Sequence, residues 1–208
     1  MKEKNKKLLE PFSEISGELL LDSQLHEGLL KEIPVVKTIL AVYKSGKSIR
    51  DYLFLRKLKL FLENIEDINE DDCQEFLKNA EDNEEGLTGS LLLILDKIED
   101  ERKAVLIAKA FKVYIEEKFS FEVFYRILLI INRRYCADLL KIVFFEGNDI
   151  LLTNTEHIES ESLEELFSCG LLTNAGFDGG NFGEDSGGTR YSLNSYGEIF
   201  LRIVKETN

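Results

Sequence analysis

With 208 residues, 44% hydrophobic and 31% charged, the chain is long enough for a real core and composed like a soluble globular protein of one large or two small domains. Its three cysteines, Cys73, Cys136 and Cys169, are isolated and odd in number, which argues against a disulfide framework or a zinc cluster and for a reducing cytosol. The net charge of −13 repels polyphosphate over most of the surface.

The charge is unevenly placed. Residues 1–60 carry 12 basic and 8 acidic side chains, whereas residues 61–208 carry 14 and 31. If any face meets nucleic acid or anionic lipid, it is expected in the first 60 residues; a solvated acidic surface otherwise simply confers solubility. The N-terminal stretch MKEKNKKLLEPFSEISGE is basic, but Glu10, Glu14 and Glu18 interrupt any signal-peptide core. No run approaches the roughly 18 apolar residues that span a bilayer. A cytoplasmic protein is expected.

In chain order, Leu21, Leu25 and Leu29 predict a helix over 13–32, stopped by Pro34. The apolar run from Val35 closes at a small polar hinge around Gly46. From Ile49 a second helix carries Phe54, Leu58, Phe61, Leu62 and Ile65 in one continuous stripe. The acidic segment 63–86 is expected to hold a short helix over 71–79. Helices over 87–99 and 101–118 follow, the latter with Ile107, Ala108, Phe111 and Ile115 on one side. A further aromatic-rich helix is expected over 121–145. The first 145 residues are thus mostly a helical bundle, and the domains are expected at 1–118 and 119–208.

The loop "AVYKSGKS" at 41–48 invites comparison with a phosphate-cradling loop, and "LLLILD" at 91–96 with the strand and aspartate that follow one. Such a loop joins a buried strand to a helix and needs glycines, so that successive N–H groups can turn inward. Here Ala41 replaces the first glycine, Val42 and Tyr43 stand where the chain must curl, and Asp96 continues a helical pattern. A hinge between two helices explains the stretch better than a nucleotide hydrolase does.

The tail differs in texture, since nine of the 14 glycines lie between Gly147 and Gly197. A strand in "DILLT", a helix in "ESLEELFSCG", a hairpin of "LLTNAGF" with "TRYSL" around a Gly-rich tip, and a last helix from Ser195 are expected. Gly170 suits a left-handed helix stop, and Asn194 suits an N-cap. Leu163, Leu166, Gly170, Leu171, Leu172, Tyr191, Leu193, Asn194, Gly197 and Phe200 form a pattern that resembles the winged-helix domain, here with its usual middle helix missing or cut to a turn within "NTEHIES". The resemblance implies a mainly helical chain ending in an α+β module with a β-hairpin, and implies little about function. The helix that would enter a DNA groove carries Glu159, Glu161, Glu164 and Glu165, and the wing carries Asp178, Glu184 and Asp185 against Arg190. Carboxylates repel phosphates, so DNA binding by this element is not expected. A protein partner is expected instead, met through Glu161, Glu164, Glu165, Arg190 and Tyr191.

Other constellations fall short. In "EDNEEGLTGSLL" Leu92 occupies the position where a calcium loop needs a bidentate carboxylate. His157 and Cys169 read as a surface histidine and a packed thiol, His26 as packing or surface, and Arg133 and Arg134 as a helix cap or partners of the acidic segment. No metal-ligand spacing and no cofactor motif appears. The basic-aromatic stretch 44–59, with Lys44, Lys47, Arg50, Arg56, Lys57 and Lys59, could lie on an anionic membrane, grip nucleic acid, or pair with the acidic segment of its own chain or of a second copy.

The whole-chain layout resembles the bacterial abortive-infection alpha proteins, associated with resistance to phage, through its helical order and the ending "G-L-L … Y-x-L-N-x-x-G". That resemblance implies a non-catalytic role in phage defence through protein partners. The expected function is a non-enzymatic interaction or accessory subunit, with protein binding or self-association. A membrane or nucleic-acid binder acting through 44–59, and a nucleotide hydrolase, are the alternatives.

Overall fold

A computed structural model describes residues 28–45, 49–79, 84–117, 119–153, 158–180 and 187–205. The chain is mainly helical, with a small antiparallel sheet near its C-terminus. It divides into two compact units. One holds residues up to 108 together with 115–118, and the other holds 109–114 together with 119 onward.

In the first unit, a 3-10 turn at Leu29–Glu32 leads into α1 (Pro34–Ser45), α2 (Ile49–Glu63), α3 (Glu70–Asn79), α4 (Glu84–Lys97) and the start of α5 (Arg102–Glu117). Most of the helix expected over 13–32 lies outside the described residues, and its last turn is 3-10. Pro34 opens α1 rather than merely ending what precedes it, because its fixed φ suits the first helical position. The core comes from the expected stripe: Leu58, Phe61, Leu62 and Ile65 are all fully buried, against Val35, Val36 and Ile39 of α1 and Leu91 and Leu95 of α4. Each such side chain contributes about 1.5–3 kcal/mol of transfer free energy.

The second unit begins with the 109–114 part of α5, where Phe111 and Tyr114 meet Phe124. The rings of Tyr114 and Phe124 stack at 4.5 Å. Ser120 caps α6 (Phe121–Arg133), accepting a hydrogen bond from the Val123 amide. The single helix expected over 121–145 is three pieces: α6, α7 (Cys136–Leu140) and a 3-10 turn at Lys141–Phe145. Arg134 and Tyr135 are extended between the first two. The break resets the helical phase, so that Cys136, Leu139 and Ile142 turn inward after Ile127, Leu128 and Ile131. In an unbroken helix Cys136 would lie well round the cylinder from Ile131.

Beyond the 3-10 turn come β1 (Leu151–Leu152), α8 (Ser160–Ser168), β2 (Leu172–Asp178), β3 (Gly188–Leu193) and α9 (Ser195–Lys205). The sheet order is β1-β3-β2, antiparallel throughout. Leu172 pairs with Leu193 and Asn174 with Tyr191, and the register slips at a bulge before Gly176. Gly176 takes a φ of 111° there, which a side chain would resist.

The glycines and the asparagine of the sequence pattern have physical work here. Gly170, at φ 85°, ends α8: its amide donates to the Phe167 carbonyl and the Leu171 amide to the Leu166 carbonyl, the paired bonds of a Schellman stop. Asn194 Oδ1 accepts from the Gly197 amide at 3.0 Å, capping α9. Its Nδ2 donates to the carbonyls of Gly170 and Leu172. Gly197 packs so closely that an added Cβ would lie 2.1 Å from the Leu171 carbonyl oxygen. One cluster of backbone contacts thus ties the end of α8, the start of β2 and the start of α9 together, above the core residues Phe200 and Ile203.

Candidate interaction surface

Helix α8 buries Ser162, Leu163 and Leu166 against the unit and turns Glu161 and Glu164 to solvent. The four carboxylates expected to act alike divide into two pairs. Glu159 is 2.5 Å from Lys141 Nζ, and Glu165 Oε1 is 2.6 Å from Arg134 Nη1. Glu159 stays exposed although it is paired, and Glu161 and Glu164 are the outward carboxylates of α8 that no described lysine or arginine holds. Arg134 meets α8 of its own unit.

At the start of α8, Lys141 Nζ donates to Ser162 Oγ at 2.8 Å, and Ser162 Oγ donates to Asp138 Oδ1 at 2.8 Å. A serine beside a lysine can form a nucleophile and base, but that chemistry needs a lysine that gives up its proton readily. The hydrogen bond and charge of Glu159, with Asp138 behind it, hold Lys141 above the usual lysine range. The cluster is a charged clasp joining α7 and the 3-10 turn to α8. The same hydrogen bond holds Glu159 below its usual range.

The hairpin presents a second face. β2 is an edge strand whose residues 173–177 are exposed, with Phe177 75% exposed at its far end. Arg190 is paired with Asp178 across the hairpin at 3.0 Å. Tyr191, expected at the partner face, lies inside: it is 5% exposed and its ring meets Phe167 at 5.2 Å. The central strand turns it inward, where the alternation of "TRYSL" allowed either face. Glu184 and Asp185 of the wing lie outside the described residues, as does His157.

In the first unit the described side chains of the basic stretch, Arg56, Lys57 and Lys59, have partners within the unit. Arg56 pairs with Glu101 at 2.8 Å, Lys57 Nζ donates to the Asp96 carbonyl at 2.9 Å, and Lys59 lies 3.6 Å from Glu63. Of these three partners, Glu63 belongs to the 63–86 segment, and Asp96 and Glu101 lie beyond it. Lys47 and the side chains of Lys44 and Arg50 lie outside the described residues. Residues 41–45 continue α1, and Asp96 sits in α4, so neither has the strand geometry of a phosphate loop.

Among the described residues no cluster of three or more His, Cys, Asp or Glu could hold a metal ion, and no helix is long and apolar enough to cross a membrane. Sequence reasoning set Arg133 and Arg134 aside as helix caps or partners of the acidic segment and passed over Arg126. All three line one cleft, and the spacing 126, 129, 130, 133 on a single helical face was the signal available. No family model matches the chain, and neither a curated protein nor a solved structure gives a significant match.

Proposed function

We propose that the second unit is a degenerate winged-helix module that binds protein, and that the chain is a non-enzymatic accessory subunit whose setting is bacterial phage defence. The fold reading is supported by the element order from α6 through β1, α8 and the β2–β3 hairpin to α9, with sheet order β1-β3-β2. The observation that carries the functional reading is the surface of α8. Its solvent face offers Glu161 and Glu164, beside an open strand edge ending in Phe177. Such a face repels a sugar-phosphate backbone and suits a polypeptide with basic side chains that can also add a strand to β2.

The test is co-purification of the full chain with proteins encoded by neighbouring genes, repeated with Glu161→Lys/Glu164→Lys and with Phe177→Asp. A stoichiometric complex that weakens with salt and is lost in the charge-reversed variant is expected. A complex indifferent to both variants, or tight binding of duplex DNA by the wild type, would overturn the reading.

A further inference from the structure

The surface of the second unit holds a cleft of about 190 Å³ between the second half of α6 and the end of α8. Arg126, Leu129, Ile130 and Arg133 reach it from one face of α6, being spaced three, four and seven positions apart. Arg134 enters from the bend that follows, and Cys169 from the end of α8. In a chain of net charge −13, three arginines line one small concavity.

Each arginine is held differently. Arg134 is committed to Glu165 at 2.6 Å and to Ser168 Oγ at 3.3 Å. Arg126 Cζ lies over the Tyr196 ring, 4.4 Å from its centroid. A cation–π contact of this kind restrains a guanidinium without using up its N–H donors, which stay available to an oxyanion. The missing side chain of Gly170 makes room for this pose, since a Cβ there would stand 3.2 Å from Arg126 Nη2. Helix capping accounts for Arg133 and Arg134, which complement the negative end of α6. It does not account for Arg126, about two turns further back.

We infer that this cleft is a binding site for a phosphate monoester, whose oxygens meet Arg126 and Arg133 while Leu129 and Ile130 face the carbon body of the ester. The charge matches: Glu165 offsets one of three guanidiniums, and a phosphate monoester carries close to two negative charges at neutral pH. Planar forked donors bind such an oxyanion in pairs. The site is separate from the outward face of α8 and stands or falls without the protein-binding reading.

The full chain is titrated calorimetrically with inorganic phosphate, phenyl phosphate, a short phosphotyrosine peptide and acetate, and compared with Arg126→Gln and Arg133→Gln. Saturable binding of phenyl phosphate is expected, weakened about tenfold by either substitution, the equivalent of one charge-assisted hydrogen bond. Binding of phenyl phosphate should also slow alkylation of Cys169 and leave the buried Cys73 and Cys136 unaffected. A peptide that binds tighter than phenyl phosphate identifies a modified side chain as the source, and equal or weaker binding identifies a small-molecule ester. Both arginines are exposed, so the variants should fold, which circular dichroism checks. The inference is overturned if no phosphate probe saturates, if acetate binds as well as they do, or if both variants bind like the wild type.

Discussion

Arg134 Nη1 donates to Glu165 Oε1 at 2.6 Å across 31 positions of sequence, joining the bend that ends α6 to the last turns of α8. Both side chains are about one-third exposed, at 32% and 33%, so solvent screens much of their attraction. A double-mutant cycle of Arg134→Ala and Glu165→Ala, measured by urea denaturation, should give a coupling of about 0.5–1 kcal/mol. High salt should shrink it. A coupling indistinguishable from zero at low salt would mean that the pair is not maintained in solution.

Two kinds of glycine predict opposite outcomes. At Gly197 an added methyl would press on the Leu171 carbonyl, and that carbonyl is already fixed by the Asn194 amide. Gly197→Ala should cost about 2–3 kcal/mol or prevent the second unit from folding. Gly86 and Gly89 sit in α4 with open space around their Cβ positions. Alanine at either should stabilise by roughly 0.5–1 kcal/mol, through helix propensity alone. Midpoints of chemical denaturation decide both.

Asn194 caps α9 through its oxygen and holds two carbonyls through its nitrogen. Asn194→Ala should therefore cost about 2–3 kcal/mol, more than a cap alone. Asn194→Asp keeps the capping oxygen and loses the donors, so it should fall between the two. If aspartate equals asparagine, the contacts to Gly170 and Leu172 contribute nothing.

The carboxyl of Glu159 is held below its ordinary value of 4.5 by the Lys141 hydrogen bond first and the Lys141 charge second. Glu122, capping its own helix start, and Asp100, bonded by Arg102, are depressed too. A carboxylate with a depressed folded pKa contributes stability that is present above its unfolded value and disappears as pH falls through the folded value. Glu159→Gln should thus be less stable than wild type at roughly pH 7, with the difference closing toward roughly pH 3. A gap that persists unchanged in acid would assign the loss to packing.

Local signals in the sequence carried far. The stripe from Leu58 to Ile65 specified which side of α2 is buried, because helical geometry leaves one choice once apolar residues recur at three and four positions. Gly170 and Asn194 announced the end of α8 and the start of α9, since a left-handed stop and an N-cap are made by the residue itself and its nearest neighbours. The break after Arg133 had no proline or glycine to announce it. It exists because α7 and the 3-10 turn must turn Cys136, Leu139 and Ile142 inward, a demand set by distant partners.

The site followed the same division. That α8 is acidic was plain from its letters. Which carboxylates are paired was not, because Lys141 and Arg134 reach Glu159 and Glu165 from elements 18 and 31 positions away. Likewise Tyr191 could have pointed to either face of its strand, and only the strand order and the ring of Phe167 turned it inward. Short-range geometry and side-chain chemistry are written in consecutive residues. Pairing across long stretches of chain depends on which surfaces the folded units bring together, and there only the tertiary structure decided.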